Sequence, residues 1–244
     1  MSTVEPRTAS RTAMASDAIL ADGQRMNSDE FLRRYEQTPP GFTAELIGGV
    51  VHVASPVGFD HGCSSADLIG WLVAYRARTP GTQVLDNATT LLDELGAPQP
   101  DCQLRILPEY GGQSRNKGKY VAGAPELVAE VAGSSIAEDL GSQLADYERA
   151  GVQESIVVAL DPPEVHWHVR RGDKLVRIPP DADGIHRSWA FPGLWLDPAA
   201  LLRADIAGVL DVLERGLASP GHADFVARLA ANAAAASNAG PPAP

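Results

Sequence analysis

The sequence predicts an α/β fold in which helices pack on a mixed β-sheet. Two apolar runs, PELVAEVA at 125–132 and ESIVVAL at 154–160, have the composition of strands that are buried on both faces. The segment between them, 134–151, predicts a helix, so the three segments form a βαβ-like unit. The chain of 244 residues is long enough for one sizeable core. The apolar stripe of the predicted helix consists of Ile136, Leu140, Leu144 and Tyr147.

The N-terminal part predicts a disordered tail followed by a short helix. Residues 1–25 are rich in Ser, Thr and Ala without a sustained period, which is typical of disorder. The stretch NSDEFLRRYEQTPP at 27–40 predicts a helix that Asn27 caps, with Glu30 as the capping-box partner and two prolines at the end.

The next part of the chain predicts a hairpin, a helix and short strands. Residues 45–53 contain two β-prone runs around Gly48 and Gly49, and glycine supplies the positive φ that a tight hairpin turn requires. Residues 61–78 carry apolar side chains at helical spacing. Three strand-like segments follow, at 82–86, 88–94 and 101–107.

The C-terminal part predicts one more strand pair and then helices. Residues 164–178 alternate between polar and apolar over two strands around Gly172. Farther on, an apolar stripe at helical spacing is expected to pack on the main domain; it comprises Ile206, Val209, Leu210 and Leu213. The predicted division is a disordered tail at 1–25, a main domain at 26–202, a helical extension at 203–236 and a disordered end at 237–244.

Composition and charge exclude several classes of protein. The formal net charge of −11 argues against a large non-specific nucleic-acid surface but leaves room for a local basic patch. Cys63 and Cys102 lie far apart in the sequence, which favours reduced thiols in a cytoplasmic protein. No secretory signal and no apolar run of membrane-spanning length is evident, so no membrane partner is expected.

Two carboxylates occupy unusual places in predicted strands. Asp101 follows Pro100 at the start of one strand, and Glu130 lies in the middle of the apolar run LVAEVA. Burying an acid there is costly unless something compensates its charge. A divalent cation shared with Asp101 would do so, because Mg²⁺ binds through one or two carboxylates plus phosphate oxygens. The alternative is structural: Asp101 caps a loop and Glu130 pairs with an arginine, which spacing alone favours.

A series of short motifs in a fixed order adds to this reading. The motifs are ELIGG at 45–49, SP at 55–56, HG at 61–62, PD at 100–101, PELVAEVAGSS at 125–135 and DLGSQLADYERAGVQES at 139–155. Their order resembles the Uma-two family, a group of restriction endonuclease domains in the PD-(D/E)XK nuclease superfamily. The resemblance covers roughly residues 27–202 and implies a restriction-endonuclease-like fold, with a mixed sheet flanked by helices.

The resemblance also implies roles for individual residues. Asp101 and Glu130 match the family's metal-binding carboxylates, and Glu45 is a weaker candidate at the edge of the site. The position where the family usually has a lysine is Gln143, and the lysine position of the wider superfamily is Ala132. Glutamine can hydrogen-bond to an attacking water but supplies no charge to a phosphate.

Other candidate residues fit structural roles better. His61 matches the family's His-Gly pair, and we expect it to start a helix rather than to catalyse. His166 and His168 share a strand face but have no evident third metal ligand. The serines in residues 133–139 lack a nucleophile-elbow context and a histidine partner, so a serine hydrolase is not expected.

The function expected from the resemblance is Mg²⁺-dependent hydrolysis of DNA, with Mn²⁺ as a substitute. Asp101 and Glu130 would hold the metal, Gln143 would orient water and Glu45 would assist. The alternative, favoured by Gln143 and by the low lysine count, is an impaired relative that binds nucleic acid or protein. A homodimer is an open option. The basic residues that could contact phosphates are Arg105, Arg115, Lys117, Lys119, Arg170, Arg171, Lys174 and Arg177.

Overall fold

The structure is a computed structural model that describes residues 19–133 and 136–239, with the side chains of 136–140 and 239 outside the description. The helices are α1 Ser28–Tyr35, α2 Phe59–Arg78, α3 Ile136–Ala150, α4 Pro198–Leu202, α5 Ile206–Leu217 and α6 Pro220–Ala239, with a 3₁₀ turn at Pro108–Tyr110. The strands are β1 Ala44–Ile47, β2 Val50–Val53, β3 Thr82–Asp86, β4 Thr90–Leu91, β5 Cys102–Ile106, β6 Arg115–Lys117, β7 Tyr120–Ala122, β8 Leu127–Ala132, β9 Glu154–Leu160, β10 Pro163–Arg171, β11 Lys174–Ile178, β12 His186–Arg187 and β13 Trp195–Leu196.

A mixed central sheet organises the fold, which confirms the predicted class. Its strand order is β11-β10-β9-β8-β5-β3. β8 and β9 are parallel and α3 connects them, whereas the neighbouring pairs are antiparallel. The side chains of β8 and β9 are almost all buried, as their apolar composition predicts.

The main core lies between the central sheet and helices on one of its faces. Trp71 of α2 meets Trp167 of β10 edge to face, with ring centroids 6.3 Å apart. Val209 and Leu213 of α5 and Phe225 of α6 are buried in the same core. Helices α5 and α6, in the segment predicted as an extension after residue 202, therefore contribute buried side chains to the core of the main domain.

The β1–β2 hairpin lies outside the central sheet and forms a smaller core with α1. The turn residues Gly48 and Gly49 have φ of 56° and 77°, so the predicted hairpin and the reason for its glycines are confirmed. Asn27 accepts a hydrogen bond from the Glu30 backbone N–H at 2.9 Å, as predicted. The Glu30 carboxylate, however, bonds to Arg33 and Arg34 of the next helical turn instead of closing a capping box.

The ends of the chain depart from the predicted disorder where they are described. Of the tail predicted at 1–25, residues 1–18 lie outside the described residues. Leu20 is only 3% exposed, and Arg25 forms an antiparallel bridge with Val50, so residues 19–25 pack along β2. At the other end, α6 continues to Ala239, and residues 240–244 lie outside the description.

Two loops differ from the sequence-based expectation. The strand expected at 88–94 is only Thr90–Leu91, because the chain turns back when Leu92 N–H bonds to the Gly96 carbonyl. The polar loop after residue 107 contains β6, which pairs with β7. Among the described residues, no helix is both long and apolar enough to cross a bilayer.

Candidate active site

Asp101 and Glu130 lie side by side because of the register between β5 and β8. Cys102 pairs with Ala129, so the antiparallel register places Asp101, one residue earlier, opposite Glu130. The Asp101 backbone N–H donates to Glu130 Oε2 at 3.1 Å, and the Val131 backbone N–H donates to Asp101 Oδ2 at 2.8 Å. The structure thus brings together the two carboxylates that the sequence singled out.

The surroundings of Asp101 and Glu130 disfavour the ionised form of both side chains. Burial raises the pKa of Glu130 well above its usual range, and the nearby Asp101 raises it further. Burial also raises the pKa of Asp101, and the hydrogen bond from Val131 opposes that effect only in part. Two adjacent acids with this electrostatic environment gain stability from any cation that binds between them.

Gln143 and Tyr147, one turn apart on α3, hold the Glu130 carboxylate. The Gln143 side-chain amide donates to Glu130 Oε1 at 2.7 Å and to the Tyr147 hydroxyl at 2.9 Å. The Tyr147 hydroxyl donates to the same Oε1. Glu130 takes part in no salt bridge within the described part of the chain, so its expected alternative role as the partner of an arginine is wrong.

Tyr147 was not among the predicted site residues, because it belongs to an apolar helical stripe. It is 2% exposed, and burial raises the pKa of its hydroxyl well above the usual range. A buried tyrosine needs a partner for its hydroxyl, and an acid in a neighbouring apolar strand is a suitable one. The sequence also carried a signal for Tyr147, because Tyr147 belongs to the motif DLGSQLADYERAGVQES on which the family resemblance rests.

His61 lies in the first turn of α2, as expected for a helix-start residue, but it also reaches the carboxylates. Its Nε2 is 3.2 Å from Asp101 Oδ2, and its Nδ1 is 3.3 Å from the Ser65 hydroxyl. The contact with Ser65 fixes the orientation of the imidazole ring, and the contact with Asp101 directs Nε2 at the site. His61 can therefore position Asp101 by hydrogen bonding.

A cavity of about 300 Å³ opens beside these groups. Glu45 of β1 lines it and accepts a hydrogen bond from the Gln99 backbone N–H at 3.1 Å, so the expected edge position of Glu45 is where the structure puts it. Within the described residues, no lysine or arginine lines this cavity. The predicted site residues that line it are Glu45, Asp101, Glu130 and Gln143, together with His61 and Ala132.

The donor set available for a metal is small. Among the side chains that the structure describes, no group of three or more His, Cys, Asp or Glu is arranged to hold an ion. His166 and His168 therefore belong to no such group. Nε2 of His166 lies 3.2 Å from Glu164 Oε2. The carboxylates of Asp101 and Glu130 are adjacent oxygen donors at the cavity wall, and Glu45 lines the same cavity.

Several of the basic residues considered for phosphate contacts are occupied elsewhere. Arg105 is buried and donates to Gln83 and Asn116. Lys174 bonds to Glu148 at 2.6 Å, and Lys119 lies 3.9 Å from Glu36. None of these three side chains lines the cavity, so they do not form a basic wall for it.

Comparison with known proteins identifies the family and the fold of this chain. The Uma2 family model, described as "Putative restriction endonuclease", matches residues 28–199 of the 244. The chain belongs to the Uma2 family. A crystal structure described as a putative nuclease belonging to DUF820, from Anabaena variabilis, superposes on this Uma2 chain with a TM-score of 0.52 at 12% identity. The alignment covers 75% of this chain and 98% of the other and shows a shared fold. No curated protein matches.

Proposed function

We propose that this Uma2 chain is a metal-dependent nuclease that hydrolyses DNA phosphodiester bonds. The observation that carries the proposal is the pairing of Asp101 with the buried Glu130 at the wall of an open cavity. A buried acid pair without a function would be expected to be replaced by neutral residues, because its desolvation is costly. Membership of a family described as restriction endonucleases supports DNA as the substrate.

The residues present fit a hard divalent cation such as Mg²⁺ or Mn²⁺. Both donors are carboxylates, and Mg²⁺ is typically held by one or two of these plus other oxygen ligands. A cation bound between Glu130 and Asp101 would lower their raised pKa values, because it favours the ionised form of each carboxylate. A bound divalent ion supplies the charge that polarises a phosphodiester and lowers the pKa of an attacking water.

The residues of the chain itself would position these groups. Gln143 and Tyr147 fix the orientation of the Glu130 carboxylate through Oε1. His61 and the Val131 N–H fix Asp101 through Oδ2. Because three groups donate to Glu130 and two partners hold Asp101, both carboxylates are preorganised before a substrate arrives.

A second candidate function is nucleic-acid binding without cleavage. Gln143 favours it, because its amide is engaged with Glu130 and Tyr147 and carries no charge for a transition state. A binding module has no need of a metal, so metal binding distinguishes the two functions.

The test is cleavage of supercoiled and single-stranded DNA in Mg²⁺, in Mn²⁺ and in EDTA. Wild type is compared with Asp101→Ala and Glu130→Ala, and with Asp173→Ala as a control in the exposed β10–β11 turn. The nuclease requires cleavage that needs a metal, is lost in both site variants and persists in the control. Equal cleavage by all four proteins would indicate a contaminant and overturn the proposal. DNA binding without cleavage or metal uptake would establish the binding module instead.

A further inference from the structure

Arg25 lies on the same face of the β1–β2 hairpin as Glu45. Glu45 pairs with His52 across the hairpin, and Val50 pairs with Ile47 on one side and with Arg25 on the other. Residues that are directly opposite or two apart along a strand share a face of the sheet. Arg25, which the sequence pattern placed in a disordered tail, is therefore held by backbone pairing in a fixed position on the site's side of the hairpin.

That face of the hairpin looks towards α3 across a second cavity. The cavity measures about 520 Å³ and is lined by Arg25, Glu45, Ser142 and Gln143 among others. Glu45 and Gln143 also line the cavity that contains Asp101 and Glu130. The two cavities thus meet at Glu45 and Gln143, with the carboxylates on one side and Arg25 on the other.

The charge distribution of the paired cavities is one-sided. The carboxylate cavity contains acidic side chains and, within the described residues, no lysine or arginine. A phosphodiester strand is anionic along its whole length and gains further negative charge in the transition state of hydrolysis, so it requires basic groups nearby. Arg25 is the arginine that the described structure places in the adjoining cavity.

We infer that Arg25 binds a phosphate group of the nucleic-acid strand as the strand leaves the Asp101–Glu130 cavity. This inference rests on the proposed nuclease function and assigns a substrate-binding residue that the sequence did not suggest. A guanidinium can contact two oxygens of one phosphate at once, and the exposed side chain of Arg25 is accessible for that contact. Arg25, next to β2, would thus supply the positive charge that the neutral Gln143 does not provide.

The first experiment measures the salt dependence of binding. A fluorescein-labelled oligonucleotide is titrated by fluorescence anisotropy in Ca²⁺ between 50 and 200 mM salt, a range suited to counterion release. The slope of log affinity against log salt is negative, and loss of one phosphate contact in Arg25→Ala should reduce its magnitude by about 0.7 to 0.9. Arg25→Lys should restore the slope. Arg76→Ala, about 22 Å along α2 from His61, is the matched control and should match wild type.

The second experiment separates a phosphate contact from a structural role. Oligonucleotides carrying one neutral methylphosphonate at successive positions are compared between wild type and Arg25→Ala. Wild type should lose affinity at one backbone position at which Arg25→Ala is insensitive, since the partner charge is already absent. If Arg25→Ala loses affinity at the same backbone positions as wild type and its salt slope is unchanged, the inference about Arg25 is overturned. The proposed nuclease function would not be affected by that result. A wild type that binds no oligonucleotide would instead overturn the nuclease proposal and this inference with it.

Discussion

The side-chain amide of Gln143 donates to the Glu130 carboxylate across 2.7 Å, from helix α3 to the centre of strand β8. At the position where related sequences are expected to carry a lysine, this chain uses a neutral donor to hold a buried acid. A neutral donor satisfies a lone pair but does not offset the charge, which is consistent with the strongly raised pKa of Glu130. Gln143 therefore positions the Glu130 carboxylate without neutralising its charge.

Gln143→Lys should restore charge to this position. An ammonium at Gln143 would stabilise ionised Glu130 and would lie at the junction of the two cavities. Because one well-placed donor is typically worth 10² or more in rate, we expect Mg²⁺-dependent cleavage to rise by about tenfold or more. Ser142→Lys adds the same charge one residue away. Ser142 is exposed and lines only the second cavity, the one that contains Arg25, so this variant should change the rate little. Equal acceleration in both variants would mean that only general electrostatic attraction had increased.

Glu130→Gln should abolish stabilisation by metal. A ligand that binds only the folded protein raises its unfolding free energy, by about 2.7 kcal/mol at a concentration 100 times its dissociation constant. Wild type should therefore melt at a higher temperature in Mn²⁺, whereas Glu130→Gln should not respond, as differential scanning calorimetry can measure.

A second buried glutamate provides the matched control for that experiment. Glu126 immediately precedes β8 and accepts hydrogen bonds from the Ile106 and Gln113 backbone N–H groups at 2.8 and 3.0 Å. Glu126→Gln should destabilise the fold by about 1 to 3 kcal/mol, because one of those donors loses its acceptor. It should nevertheless keep the full response to Mn²⁺. Loss of the response in both variants would show that it depends on stability rather than on Glu130.

Tyr147→Phe should weaken metal binding without removing a metal ligand. The hydroxyl of Tyr147 orients Glu130, and partners of this kind typically contribute a factor of about 10 or more to metal affinity. Calorimetric titration with Mn²⁺ measures the change. Tyr75→Phe is the control, since Tyr75 is also fully buried but donates to the Pro192 carbonyl at 3.0 Å. Tyr75→Phe should lose about 1 kcal/mol of stability and retain its Mn²⁺ affinity; a drop in affinity there as well would indicate a general loosening.

Sequence reasoning noticed the two acids because each was anomalous within its own strand, and the family resemblance then implied that they act as a pair. Asp101 follows a proline at a strand start and Glu130 interrupts an apolar run, so each is conspicuous locally. The register that makes them neighbours, Cys102 opposite Ala129, depends on strand pairing between segments 27 residues apart and had to come from the structure. Their closeness was a hypothesis until that pairing was known.

The residues that sequence reasoning missed are ordinary within their own segments. Tyr147 fits an apolar helical stripe, and its distinguishing contact is the hydrogen bond from its hydroxyl to Glu130 of β8. Arg25 belongs to a stretch without periodicity, because a single backbone bridge to Val50 leaves no repeating pattern to detect. Both acquire their positions from tertiary contacts, which local patterns do not encode.

A third buried glutamate, Glu154 at the start of β9, should make stability depend on pH. It is fully buried, and the Ser188 hydroxyl and the Trp189 backbone N–H donate to it. Burial raises the pKa of Glu154 to about 7, against a usual value of 4.5. The folded protein therefore binds a proton more tightly than the unfolded chain does. The resulting stabilisation is fully present below pH 4.5 and is lost as the pH rises towards and through 7.

Glu154→Gln tests this dependence because it keeps the shape of the side chain and removes its titration. A shift from 4.5 to about 7 corresponds to about 3 kcal/mol, so the free energy of unfolding of wild type should fall relative to Glu154→Gln by up to that amount between pH 5 and pH 8. Urea denaturation at each pH measures both proteins. Glu109→Gln, which alters an exposed carboxylate, should follow wild type across the range. A constant difference between wild type and Glu154→Gln at all pH values would show that Glu154 keeps one protonation state throughout. The neighbouring Tyr75 would not obscure the result, because burial raises its pKa far above this window.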